Sequence, residues 1–222
     1  MELIKRDKCA LKGTKDLEDL HTFKKYPLFM GCTEQPINKD IKVDMEWSIS
    51  KSSGVIQLKK LIPLKILYSE IHNSVIGNIW KKHHKEFAKF IKKFNPEKGI
   101  LEIGGAHGYL SMVYGDKNDI PWTVIEPNPN PIEGCNANFI KDVFRPNYIK
   151  DINFDTIVHS HVLEHIYEPN LFFSLLKDSI SNKNKIIFSV PNMKQMLQRN
   201  YTNCLNFEHT IFLTENQINY LI

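Results

Sequence analysis

Gly99-Ile100-Leu101-Glu102-Ile103-Gly104-Gly105-Ala106-His107-Gly108 decides how the rest of this chain is read. A short apolar run ends in a cluster of glycines, and a helical segment follows. Glycines are expected at such a bend because a side chain there would block the backbone's approach to a ligand. Amides at the start of the next helix can hold a carboxylate or phosphate. A dinucleotide fingerprint requires G-x-G-x-x-G. The spacing here is E-x-G-x-x-x-G, with Glu102 inside the strand end and Gly104, Gly105 and Gly108 in the bend.

Outward from this stretch, further short apolar runs recur at Trp122 to Glu126, Ala137 to Ile140, Phe154 to His159 and Lys185 to Pro191. Short strands separated by helical segments predict βαβ units and a parallel sheet of at least five strands, an α/β Rossmann-like fold. Apolar positions at helical spacing (Ile66, Leu67, Ile71, Val75, Ile79, Phe87, Ile91) predict linking helices over 63–95, broken near Gly77 and ended by Asn95-Pro96. Residues 1–62 carry turn signals and short alternating runs, which predict a small β-rich module. The main domain is then 96–222. Asn200 to Asn206 reads as a loop, and Thr214 with Gln217 as a helix start.

The 222 residues suit one α/β domain with a small appendage. At 42% hydrophobic and 24% charged, the composition is that of a soluble globular protein. No apolar run is long enough for a membrane helix, and the start lacks a signal-peptide core, so a cytoplasmic protein with no membrane partner is expected. The net charge of +4 is mild. Lys81, Lys82, Lys85, Lys89, Lys92 and Lys93 read as a solvated helix face, not a nucleic-acid surface. His83-His84, lying among them, is expected at the surface. Lysine in excess of arginine, with abundant Asn and Ile, points to an AT-rich bacterial coding sequence. The four cysteines form no C-x-x-C pair and read as free thiols.

Two more acids follow strands. Glu126, in Val124-Ile125-Glu126-Pro127-Asn128, lies 18 positions after Gly108. A carboxylate there can accept hydrogen bonds from both hydroxyls of a ribose, each contributing roughly 1.5–3 kcal/mol. Asp142 follows the third strand, with Ile140 and Val143 beside it. His159 and His161 flank Ser160 at the end of the fourth strand, and if the strand continues both point to the side opposite Ser160.

The Glu102 to Gly108 spacing resembles motif I of class I S-adenosylmethionine-dependent methyltransferases. Phe154 to Ile166 (Phe-Asp-Thr-Ile-Val-His-Ser-His-Val-Leu-Glu-His-Ile) resembles their motif IV. The resemblance covers roughly 99–192 and implies S-adenosyl-L-methionine as cofactor. Glu102 would face its amino group, Glu126 and Pro127 its ribose, and Asp142 with Val143 its adenine. Ser160 and His161 are counted with the same crevice. That superfamily's sheet has two further strands, so either the chain is truncated at Ile222 or the edge is finished differently.

A closer resemblance, to sugar C-methyltransferases, rests on the N-terminal module. That family holds a zinc ion with two C-x-x-C pairs. Here the corresponding positions carry Cys9 and Lys12 before Gly13, and Ser50 and Ser53 before Gly54-Val55-Ile56-Gln57-Leu58. Four soft or imidazole ligands are needed for structural zinc. The module is therefore expected to persist without metal, the alternative being a rebuilt site of Cys9, Cys32 and His21. Leu67-Tyr68 matches that family's Leu-Tyr pair, and Glu208-His209 its late Glu-His pair. The resemblance implies that Tyr68, His72, Glu208 and His209 line the substrate pocket and that His165 matches the usual histidine after motif IV. His165 or His209 is the expected general base, with Glu164 or Glu208 orienting an imidazole and no catalytic metal. The expected acceptor is a small sugar or nucleotide-sugar of bacterial surface-glycan or secondary metabolism, methylated on oxygen or carbon. The alternative is a scaffold that has lost turnover.

Overall fold

The computed structural model describes residues 1–29, 36–69, 77–115, 120–202 and 204–222. In chain order the elements are β1 (Ile4–Lys5), β2 (Leu17–Pro27), β3 (Lys42–Ser50), β4 (Ile56–Leu58), β5 (Lys60–Leu61), α1 (Leu64–Leu67), α2 (Asn78–Lys92) and β6 (Ile100–Ile103). There follow α3 (Tyr109–Tyr114), β7 (Trp122–Ile125), β8 (Asn138–Ile140), β9 (Thr156–Ser160), α4 (Pro169–Ser179), β10 (Lys185–Ser189), α5 (Met193–Gln198), β11 (Ile211–Phe212) and α6 (Glu215–Leu221). These residues gather into two compact units. One, called here the sheet unit, comprises 73–162 and 175–190; the other, the mixed unit, comprises 1–72, 163–174 and 191–222.

The sheet unit holds five parallel strands in the order β10-β9-β6-β7-β8. All five predicted strands are present. β6 is central, and all four of its residues are buried, the pattern of a strand covered on both faces. Strand order reverses between β6 and β9, because β7 and β8 extend one way and β10 the other. Open α/β sheets bind ligands at the carboxyl ends of the strands beside such a switch point.

The apolar face of α2 closes one side of this unit. Phe87, Ala88 and Ile91 are buried in a core with Leu110, Val124 and Val158, and the lysines take the opposite face. Burial of each large apolar side chain contributes roughly 1.5–3 kcal/mol. α2 starts after Gly77, as the sequence suggests. The predicted positions Ile71 and Val75 lie outside the described residues.

The mixed unit has a four-stranded antiparallel sheet, β11-β4-β3-β2, and a separate β1-β5 pair. β2 and β3 form one long ladder with register shifts between Asp19 and His21 and between Phe23 and Tyr26. Buried Met45 and Trp47 alternate with less buried Asp44 and Glu46 along β3. Trp47 stacks on Phe212 of β11, centroids 4.8 Å apart. Buried Arg6 donates to the carbonyls of Thr210 at 3.0 Å and Tyr167 at 2.6 Å, joining three distant stretches of sequence. Residues beyond β10 thus build this unit, with β11 pairing to β4. The helix start at Thr214 is present: Gln217 Oε1 accepts the Thr214 N–H at 2.8 Å.

Cys9 and Ser53 come together at the ends of two similar turns. Gly13 N–H donates to Cys9 O, and Gly54 N–H to Ser50 O, each at 2.8 Å, and the two glycines have φ of +67° and +66°. These are two copies of one turn, and each needs the left-handed region that glycine tolerates. The Cys9 Sγ lies 3.2 Å from Ser53 Oγ and accepts the Lys12 N–H at 3.4 Å. Burial pushes the Cys9 thiol pKa up, but hydrogen bonds from Ser53, Lys12 and Ser50 outweigh it and hold the thiol below its ordinary value. Cys32 lies outside the described residues.

Candidate active site

The bend after β6 is packed so closely that its glycines answer first to the protein itself. A Cβ on Gly105 would stand 2.6 Å from Val124 Cγ1 and 2.8 Å from Glu102 Cδ. On Gly104 it would stand 2.5 Å from Val162 Cγ2, and on Gly108 2.4 Å from Cys135 Sγ. Gly104 and Gly108 also have positive φ, +73° and +68°. The sequence reading gave ligand approach as the reason for these glycines. The structure adds a second reason: contact with Val124, Glu102, Val162 and Cys135 already excludes a side chain.

Two carboxylates converge on this bend. Glu102 is 2% exposed and accepts the Trp122 indole N–H at 2.8 Å. Among the described residues no cation pairs with it. Burial raises its pKa to about 7; the indole hydrogen bond opposes the rise and the charge of Glu126 adds to it. Glu126 turns toward the bend and accepts the Ala106 N–H at 3.1 Å through one oxygen and the Asn128 N–H at 3.0 Å through the other. Pro127 opens a loop that folds over the bend, with Asn130 N–H donating to Ala106 O at 3.0 Å. Asp142 is held locally. It takes hydrogen bonds from Tyr148, the Val143 amide (2.7 Å) and Arg145, and these lower its pKa.

The end of β9 departs from expectation. His159 is fully buried and stacks on Phe188, at 4.8 Å and 9°. The strand stops at Ser160, and His161 takes a φ of +55°. The expectation that His83 and His84 lie at the surface is overturned. Both are half-buried, and His83 Nε2 lies 2.8 Å from Ser160 Oγ, which is 2.9 Å from Ser189 Oγ. The signal was present in the sequence: Trp80, His83, His84 and Phe87 follow the i, i+3, i+4, i+7 spacing of one helix face.

The mixed unit holds a second cluster. Tyr68, just past α1, puts its hydroxyl 3.3 Å from His165 Nδ1. Glu208 Oε2 lies 3.7 Å from the same nitrogen. The His165 and His209 rings meet edge to face at 5.0 Å. Glu164 is 4% exposed, and one ligand atom each from Glu164, His165 and His209 lie within 4.8 Å of one another. His209 Nδ1 lies 3.0 Å from the Cys204 carbonyl. A carbonyl only accepts, so Nδ1 carries the proton of this hydrogen bond. Five predicted residues, Tyr68, Glu164, His165, Glu208 and His209, therefore share one place. His72 lies outside the described residues.

Sequence reasoning missed Asn206. Its buried side-chain oxygen accepts the N–H groups of Glu208 (2.9 Å) and His209 (2.8 Å), an Asx turn that sets the direction of the Glu-His pair. An Asn two residues before Glu208 was the readable sign.

A family model described as "Methyltransferase domain" matches residues 79–221. With that match and a sheet order that switches beside a glycine bend, the chain belongs to this methyltransferase family. Among solved structures it is similar to a SAM-dependent methyltransferase from Archaeoglobus fulgidus, at 20% identity and a TM-score of 0.51, covering 64% of this chain and 66% of that one. It is also similar to the plantazolicin methyltransferase BpumL in complex with SAH (16%, TM-score 0.43, covering 64% and 61%). A third is the N-methyltransferase NodS from Bradyrhizobium japonicum (15%, TM-score 0.44, covering 66% and 83%). At such identities the likeness is one of fold. The chain spans just under two thirds of the length of the first two. No curated protein matches it. No helix among the described residues is long and apolar enough to cross a membrane.

Proposed function

We propose that the protein is an S-adenosyl-L-methionine-dependent methyltransferase that acts on a small sugar or nucleotide-sugar, on oxygen or carbon, with a histidine as general base. One observation carries the cofactor assignment. Glu102, buried and hydrogen-bonded to the Trp122 indole, shares the glycine bend with Glu126. Two acids converging on one bend form a donor set that suits a positively charged nucleoside. Glu102 would hold its ammonium and Glu126 its ribose, with Pro127, Asp142, Val143, Ser160 and His161 completing the crevice. Bound there, the cofactor supplies an activated methyl group.

The chain's own task is to prepare the acceptor. His209 Nε2 takes the proton from an acceptor hydroxyl, or from a carbon beside a carbonyl, and Cys204 O orients the ring through Nδ1. Glu164 lies near enough to attract the imidazolium that results. Glu208 and Tyr68 fix His165 from its Nδ1 side. Positioning of this kind supplies on the order of 7–11 kcal/mol of a displacement barrier. The sugar assignment rests on the resemblance of Tyr68, His165 and Glu208-His209 to sugar C-methyltransferases, and a bacterial glycan or secondary pathway is its natural setting.

The test is transfer of an isotope-labelled methyl group to a panel of nucleotide-linked and phosphorylated sugars, followed by location of the label. Label on a ring carbon or oxygen supports the reading. Transfer to amines or peptides alone removes the sugar assignment. A protein that binds no S-adenosylmethionine in a calorimeter is the scaffold instead.

A further inference from the structure

One feature of the sheet unit extends the proposed crevice beyond His161. Trp80, His83 and His161 meet edge to face, each nearly perpendicular to the other two. Trp80 and His161 are 4.9 Å apart at 84°, His83 and His161 5.2 Å at 86°, and Trp80 and His83 5.5 Å at 90°. His84 adds a fourth ring, 5.3 Å from His83 and 5.9 Å from Trp80. The corner adjoins the glycine bend: His84 lies 6.0 Å from Tyr109, and His161 precedes Val162, which fills the space over Gly104. Three helix positions and one left-handed residue thus converge where β9 ends.

The chemistry of the corner is specific. It offers aromatic surface on three perpendicular planes. His83 is tied through Nε2 to Ser160 and Ser189, so its ring plane is fixed. Trp80 remains 44% exposed. Perpendicular rings are how proteins enclose alkylated cations, whose charge is spread over C–H groups and poorly served by water.

We propose that Trp80, His83, His84 and His161 form a sulfonium-reading wall, which binds the methyl donor as a trialkyl cation and releases the neutral thioether that methyl transfer leaves. The inference rests on the cofactor reading above. The wall must be uncharged to do this. Burial, together with the neighbouring histidine, lowers the pKa of His83, and burial with His83, His161 and His107 lowers that of His84 to about 4, so both rings stay neutral at neutral pH.

The test is calorimetry on the full chain with S-adenosylmethionine and S-adenosylhomocysteine as probes, comparing wild type, Trp80→Leu and Trp80→Phe. Leu keeps bulk at a partly exposed position and removes the π face. Trp80→Leu is expected to weaken S-adenosylmethionine about tenfold and change S-adenosylhomocysteine less than about twofold, and Phe is expected to restore part of the loss. Equal weakening of both ligands, no change in either, or a shift only in the KM of an acceptor overturns the wall and leaves the cofactor reading standing. If wild type binds neither ligand, both readings fail.

Discussion

The molecule contains two histidine clusters of opposite character. At the end of β9, His83, His84 and His161 gather with Trp80, and the hydrogen-bond partners of His83 are serine hydroxyls. In the mixed unit, His165 and His209 gather with Glu164 and Glu208. The same side chain is used in two ways, and the neighbours decide which. Rings packed among rings are suited to stay neutral and offer surface. Rings beside carboxylates are suited to take a proton and keep it through a reaction.

The strongest challenge to this contrast is to remove the base. His209→Ala is expected to lower turnover by about 10²–10⁴-fold while S-adenosylmethionine affinity measured by calorimetry stays the same. His165→Ala should fall short of that loss, because its role is to position. If both variants turn over at the wild-type rate, the carboxylate-flanked cluster is not the catalytic one.

Glu102 gives the next effect. Its pKa of about 7 means that cofactor affinity should climb as pH rises through that value, because only the carboxylate holds an ammonium. Glu102→Gln is expected to flatten this pH profile and weaken binding at pH 8 by about 10–100-fold. A wild-type affinity that is level from pH 6 to 8 removes Glu102 from the amino-group role.

Stability separates the neutral cluster by sign. The folded-state pKa of His84 is depressed to about 4, so between that value and its ordinary one the unfolded chain binds more protons, and stability is lost as pH falls. Glu102, with a raised pKa, acts in the opposite direction over an overlapping range: its unfavourable burial is relieved as pH falls below about 7. His84→Gln should therefore make the apo protein less acid-sensitive, by on the order of 1 kcal/mol between pH 7 and 5 in urea melts. An unchanged acid dependence would show that His84 is protonated in the fold.

The smallest expected effect is none. A chelator should leave turnover unchanged if Glu164, His165 and His209 move protons. Loss of activity that a divalent ion restores would make them ligands.

The centre of the parallel sheet was legible because β6 and β7 are short apolar runs ended by a glycine and an acid, with every residue buried, whereas β8 and β10 are only partly buried. The cluster of Tyr68, His165 and Glu208-His209 was legible only through resemblance. Its members lie far apart in sequence, and no local spacing connects them. The histidine wall was misread because lysines on the far side of α2 set the tone of the segment, although Trp80, His83, His84 and Phe87 share a face. The long β2-β3 ladder was seen only as β-rich character. Bulges interrupt its alternation, and charged residues occupy its exposed side.

β4 has β3 on one side and β11 on the other, so the second partner arrives more than a hundred and fifty residues later in the chain. During synthesis the first sheet therefore waits on the ribosome with an open edge, until the segment carrying Ile211 and Phe212 leaves the exit tunnel. Slow translation or an early stop should expose that edge to aggregation before any catalytic residue is at risk.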